Sequence, residues 1–91
     1  MASVTTDDVA ALAKKARMAN TIMLRKEELR LEAECVSIQD RINDLQWRIE
    51  GADDYAISGL MHERQRAIDK LRETRRELYA VKEQLVDLGV V

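Results

Sequence analysis

A heptad repeat between residues 31 and 49 constrains the fold of this chain more than any other feature. Its apolar positions alternate between steps of four and three residues: Leu31, Cys35, Ile38, Ile42, Leu45 and Ile49. This spacing places one apolar row, here called the seam, along one side of an α-helix at the a and d positions of a heptad. The pattern predicts a helix that buries its seam against another helix.

A second seam follows after a short polar stretch. It begins at Ile57 and continues with the same spacing through Leu60, Arg64, Ala67, Leu71, Thr74, Leu78, Val81, Leu85 and Leu88. Between the seams, Gly51 is suited to end a helix, and Asp53 or Asp54 to begin the next one. A later start at Ser58-Gly59 is an alternative, which leaves a connection of about four to eight residues. We expect Gly89 to end the second helix, with Val90 contacting Leu85 as in a Schellman motif.

The two seams predict an all-α protein, a long antiparallel coiled-coil helical hairpin with a basic N-terminal helical extension. We expect one helical domain over residues 1–91, with a helix over about 6–50, a turn over about 51–55 and a helix over about 56–88. Charge favours this pairing, because residues 27–54 hold nine acids and three bases, whereas residues 61–76 hold six bases and three acids. We therefore expect ion pairs between the acidic first helix and the basic strip of the second.

The N-terminal segment is basic. Thr5 and Asp8 form a capping box, with Val4 and Val9 as a hydrophobic staple, so the first helix is predicted to begin there. From Val9 to Lys26 the chain contains no acid, and its cations form a predicted binding surface: Lys14, Lys15, Arg17, Arg25 and Lys26. Leu12, Ala16, Ala19 and Met23 make this segment amphipathic. Because Met23 lies eight residues before Leu31, the heptad phase is predicted to slip, and a continuous but bent helix is favoured over a break near Asn20-Thr21.

A weaker apolar row lies on the first helix opposite the seam, at the b and f positions. It consists of Ile22, Leu29, Ala33, Val36 and Trp47, and a hairpin alone leaves it in water. We predict a partner or oligomer interface at Leu29, Val36, Trp47 and Tyr55, since aromatic residues near a hairpin turn are typical interface anchors. The alternative is that Ala52 and Tyr55 fold over Trp47.

No catalytic, cofactor-binding or metal site is predicted. His62 is the only histidine and Cys35 the only cysteine, and neither has a suitable partner residue within helical reach. Arg64, Arg66, Lys70, Arg72, Arg75 and Arg76 are interleaved with acids, so pairing with the acidic helix is favoured over nucleic-acid binding. The chain has no secretory signal pattern and no apolar run of about 20 residues, which favours a cytoplasmic location.

These observations favour a non-catalytic protein–protein interaction module over an enzyme. We expect an adaptor or inhibitor that presents a helical surface to a larger protein, of the type seen among small phage inhibitors, and that forms a homodimer or higher closed oligomer with a four-helix arrangement. One alternative is a small dimeric nucleic-acid-associated protein that uses the basic segment 14–26. Another is a subunit of a structural assembly.

Overall fold

A computed structural model describes residues 6–90 of the chain, which form two long helices. Helix α1 spans Thr6–Glu50 and helix α2 spans Asp54–Asp87. The helices pack against each other as a helical hairpin, and the molecule measures 79 × 23 × 15 Å. Within residues 6–90 there is no β-strand, so the protein is all-α, as the two seams predict.

The turn between the helices is shorter than the sequence predicts. It consists of residues 51–53 instead of 51–55, and α2 begins at Asp54. The reason is that Asp53 acts as the N-cap: its carboxylate accepts a hydrogen bond of 2.9 Å from the Ala56 backbone N–H. On the other side of the turn, the Ala52 N–H donates to the Ile49 carbonyl at 3.2 Å.

The C-terminal end of α2 closes with the predicted Schellman motif. The Val90 N–H donates to the Leu85 carbonyl at 3.1 Å, and the Gly89 N–H donates to the Val86 carbonyl at 2.9 Å. Gly89 has a positive φ of 75°, the left-handed conformation that this motif requires. Val90 packs against the core that contains Leu85. The predicted cap at the other end of the chain involves Val4 and Thr5, which lie outside the described residues.

The two seams form the core. Every seam residue from Leu31 to Ile49 and from Ile57 to Leu88 is buried or half-buried. Leu31 and Leu85 are 1% and 0% exposed, and together with Val81 they make the best-packed cluster. Thr74 is buried as well, and its hydroxyl donates to the Lys70 carbonyl at 2.8 Å, which satisfies its polar group inside the helix.

The predicted phase slip between Met23 and Leu31 is absent. Leu24, seven residues before Leu31, packs against the core cluster, whereas Met23 is exposed. Thr21 and Glu28 occupy the intervening a positions and are half-buried. The heptad therefore continues in register to Thr21, with two polar residues in the seam, and α1 is one continuous helix from Thr6 to Glu50.

The last turn of α2 lies beside α1 near residues 20–24. A shallow groove lies between the two helices there. It is lined by Asn20, Met23 and Leu24 of α1 and by Gln84, Asp87 and Leu88 at the end of α2. All side chains from residue 7 to residue 20 are exposed, including Leu12, which the sequence places in an apolar row.

Candidate interaction surfaces

The apolar row opposite the seam of α1 is open to solvent. Ile22, Leu29 and Val36 each expose more than half of their side-chain surface, and Trp47 is 76% exposed. We call Leu29, Val36 and Trp47 the α1 stripe. Large apolar side chains exposed along one side of a helix are typical of interaction surfaces, because the free energy falls when apolar surface is removed from water.

Trp47 and Tyr55 lie near the turn, and neither is covered by it. Tyr55 is 97% exposed, and Trp47 borders a shallow groove with Arg48, Glu50 and Gly51. The alternative in which Ala52 and Tyr55 fold over Trp47 is therefore wrong. The turn has only three residues and Tyr55 already belongs to α2, so the turn does not reach back over the indole.

The basic N-terminal segment projects its cations into solvent. Lys14, Lys15, Arg17 and Lys26 are exposed and make no ion pair with any residue from 6 to 90. Arg25 differs, because its Nη1 donates to Glu28 Oε1 at 3.1 Å on the same helix. Four of the five predicted binding cations are thus available to an external anionic group.

The predicted ion pairs between the acidic part of α1 and the basic strip of α2 do not form. Only two ion pairs join the helices within the described chain, Arg41 to Glu63 at 4.0 Å and Lys82 to Glu32 at 3.6 Å. The first has its base on α1, and the second uses a lysine outside residues 61–76. Ion pairs within α1 explain this outcome, because they engage three of its glutamates, Glu27, Glu28 and Glu34.

Arg30 is the centre of those local pairs. Its guanidinium hydrogen-bonds both carboxylate oxygens of Glu27, and its Nη1 donates to Glu34 Oε2 at 3.2 Å. The hydrogen bonds from Arg30 lower the pKa of Glu27 below its ordinary value, and the same contacts raise the pKa of Arg30. Residues three or four apart on a helix meet without any loop to close, so they pair in preference to groups on α2.

The basic strip of α2 keeps most of its charge uncompensated. Arg66, Lys70, Arg75 and Arg76 make no ion pair with any described residue, and Arg72 has only a 3.9 Å contact with Asp69. Arg64 lies in the seam, where its Nη1 donates to Gln46 Oε1. Its Nε is buried and has no hydrogen-bond partner among residues 6–90.

Sequence reasoning missed the apolar residues that α2 exposes. Met61, Tyr79 and Val86 each leave about half of their surface or more in water. A signal was present, because Tyr79 and Val86 both fall at b positions when Ile57 is placed at a. Tyr79 borders two grooves, one lined by three arginines and the other by Glu83, Asp87 and one lysine, Lys82.

His62 and Cys35 are the remaining candidates from the sequence. His62 is exposed, Cys35 is half-buried and free, and no cluster of three or more metal-ligating side chains occurs within residues 6–90. Over the same residues, neither helix has an apolar stretch long enough to cross a membrane.

Comparison with protein families, with curated proteins and with solved structures finds no match to this chain.

Proposed function

We propose that this protein is a non-catalytic interaction module, an adaptor or inhibitor of the small phage type that acts in the cytoplasm. Its α1 stripe, together with Tyr55, binds a larger protein. The observation that carries the proposal is the 76% exposure of Trp47, the single tryptophan, beside a short turn that leaves it uncovered. Tryptophan and tyrosine bury large areas with few rotatable bonds, so they dominate the binding energy of many interfaces.

The scaffold we propose is a long antiparallel coiled coil with a basic N-terminal helical extension. Support comes from the burial of both heptad seams and from the cross-helix contacts. Arg41 and Glu63 both occupy g positions, and Glu32 and Lys82 both occupy e positions, which is the pairing expected of antiparallel heptads. A scaffold of this kind holds the α1 stripe on a rigid rod, so little conformational entropy is lost when a partner binds.

The test uses a photoreactive amino acid in place of Arg48, an exposed neighbour that borders the same groove as Trp47, to identify the partner by cross-linking. The purified partner is then titrated with the wild-type chain and with Trp47→Ala, Leu29→Ala and Val36→Ala. We expect Trp47→Ala to weaken binding by at least about 30-fold, which is the size of an interface hot spot. Met61→Ala is the matched control, because Met61 is exposed and apolar but lies on α2.

Circular dichroism separates this proposal from a structural role for Trp47. We expect Trp47→Ala to keep the helical content and thermal midpoint of the wild-type chain, since its indole makes few internal contacts. A variant that loses its helical structure, or one that binds the partner as tightly as the wild-type chain does, contradicts the proposal.

A second candidate function, binding of nucleic acid by a dimer through segment 14–26, is favoured by the unpaired cations there. Lys14, Lys15 and Arg17 are exposed in the N-terminal part of α1. This function predicts affinity for duplex DNA or RNA that falls steeply with salt and disappears when these three residues are changed to glutamine. Binding that is insensitive to salt, or that survives the triple substitution, contradicts it.

A further inference from the structure

Helix α2 carries two shallow grooves that meet at Tyr79. The N-terminal groove has Ile68 and Leu71 at its base and Arg72, Arg75 and Arg76 along its sides. The C-terminal groove has Val86 as its apolar element and contains Glu83 and Asp87. One side of a single helix therefore presents, in order, the arginine groove, the exposed ring of Tyr79 and the groove that contains Val86, Glu83 and Asp87.

The charges of both grooves are available for an external contact. Arg75, Arg76, Glu83 and Asp87 are exposed and form no ion pair with any residue from 6 to 90. Two charges are exceptions: Arg72 lies 3.9 Å from Asp69, and Lys82 is held 3.6 Å from Glu32 of α1 and so does not compete for Glu83. Four glutamates of α1 are engaged by Arg25, Arg30 and Lys82, and the arginine groove has only one ion pair with a described residue, the 3.9 Å contact of Arg72 with Asp69.

The spacing of the charged groups is reciprocal about a point between Tyr79 and Ala80. Arg76 and Glu83 lie at equal distances before and after this point, and so do Arg72 and Asp87. When two identical helices cross antiparallel about a two-fold axis, a group before the axis meets the group at the same distance after the axis on the other copy. This surface is therefore complementary to itself.

We propose that a second copy of this chain covers this surface, with the two α2 helices antiparallel and the two-fold axis beside Tyr79. Arg76 of each copy pairs with Glu83 of the other, so the ion pair occurs twice. Val86 enters the arginine groove of the other copy above Ile68 and Leu71, and the two Tyr79 rings meet near the axis. The stretch from Ile68 to Asp87 gives a contact about 30 Å long.

This dimer differs from the four-helix arrangement expected from the sequence, because it uses α2 and leaves the α1 stripe uncovered. Trp47 lies at an f position, on the side of α1 turned away from α2. The inference is independent of the partner proposed for the α1 stripe, and a failure of either proposal leaves the other standing.

A charge-reversal cycle tests the proposal. Sedimentation equilibrium gives the dimer dissociation constant of the wild-type chain, of Arg76→Glu, of Glu83→Arg and of the double variant. Each single reversal places like charges together twice and is expected to weaken the dimer at least about tenfold. The double variant restores opposite charges and is expected to return to within about threefold of the wild-type value. Arg66→Glu is the control, because Arg66 is exposed and unpaired but belongs to neither groove.

Disulfide cross-linking gives a second readout that does not depend on ion pairs. In a Cys35→Ser background, Tyr79→Cys places one thiol near the axis, and mild oxidation is expected to join two chains. Met61→Cys, far from the axis on the same helix, is expected to stay monomeric. The proposal is overturned by a wild-type chain that is monomeric at millimolar concentration, by a double variant as weak as the single ones, or by equal cross-linking at the two positions.

Discussion

At the scale of single residues, two glycines differ in backbone conformation, one left-handed and the other helical. Gly89 ends α2 with φ at +75°, a conformation that residues with a Cβ adopt at a cost. Gly59 lies inside α2, and a Cβ added there meets no atom within 4 Å. The two positions have the same open surroundings, so a comparison between them isolates the effect of the backbone conformation.

We predict that Gly89→Ala lowers the free energy of unfolding by about 1 kcal/mol, because alanine is strained in the left-handed region. Gly59→Ala is predicted to raise it by about 1 kcal/mol, because alanine favours the helix and restricts the unfolded chain. Urea denaturation followed by circular dichroism at one fixed protein concentration measures both values. Shifts of the same sign for the two variants would contradict the assignment of the helix end.

Arg64 shows how a charged residue is held within an apolar seam. Its stem is half-buried, its Nη1 reaches Gln46, and its buried Nε donates to no described group. A buried donor without a partner costs about 1–3 kcal/mol, more than one exposed hydrogen bond returns. We therefore expect Arg64 to lower the free energy of unfolding of the hairpin.

We predict that Arg64→Met raises the free energy of unfolding by about 1 kcal/mol, because methionine fills the same space without an unpaired donor. Gln46 is exposed and can bond to water instead. The matched control is Arg66→Met, an exposed position where we expect a change within about 0.5 kcal/mol. Thermal and urea unfolding at equal concentrations measure the difference, and a less stable Arg64→Met chain would show that the arginine stabilises the seam.

At the scale of the helices, the apolar periodicity was sufficient to predict the hairpin. Heptad spacing identifies the buried side of each helix, and Gly89 and Asp53 mark helix ends through rules that depend only on local chemistry. The extension of the seam to Leu24 was not predictable from apolar residues alone. Its a positions are Thr21 and Glu28, and only the neighbouring helix shows that these polar side chains lie against the seam.

The interhelical charge pattern illustrates why net charge is a weak guide to contacts. Residues 27–54 and 61–76 have opposite net charges, yet Arg30 is surrounded by Glu27 and Glu34 on its own helix. Pairs at a separation of three or four residues form in the isolated helix, whereas pairs across the hairpin require two long side chains to meet in water. Arg75 and Arg76 make no ion pair with any residue from 6 to 90, and they belong to the surface proposed for the second copy.

At the scale of the whole molecule, the hairpin separates three surfaces on one rod. The α1 stripe lies opposite the seam, the two grooves that meet at Tyr79 lie on α2, and Lys14, Lys15 and Arg17 are exposed in the N-terminal part of α1. This separation is compatible with our proposals that one chain binds a copy of itself and a different protein at the same time. The function we propose depends on the α1 stripe remaining uncovered in the free protein, at every concentration.

Fluorescence of Trp47 measures that condition directly, because no other tryptophan contributes. The emission spectrum and its quenching by acrylamide are recorded at protein concentrations below and above the dimer dissociation constant. We predict the emission of a water-exposed indole with the same quenching at both concentrations, since self-association uses α2. A blue-shifted emission, or protection from acrylamide that increases with concentration, would show that Trp47 is covered in the free protein and would contradict its role as the anchor for a partner.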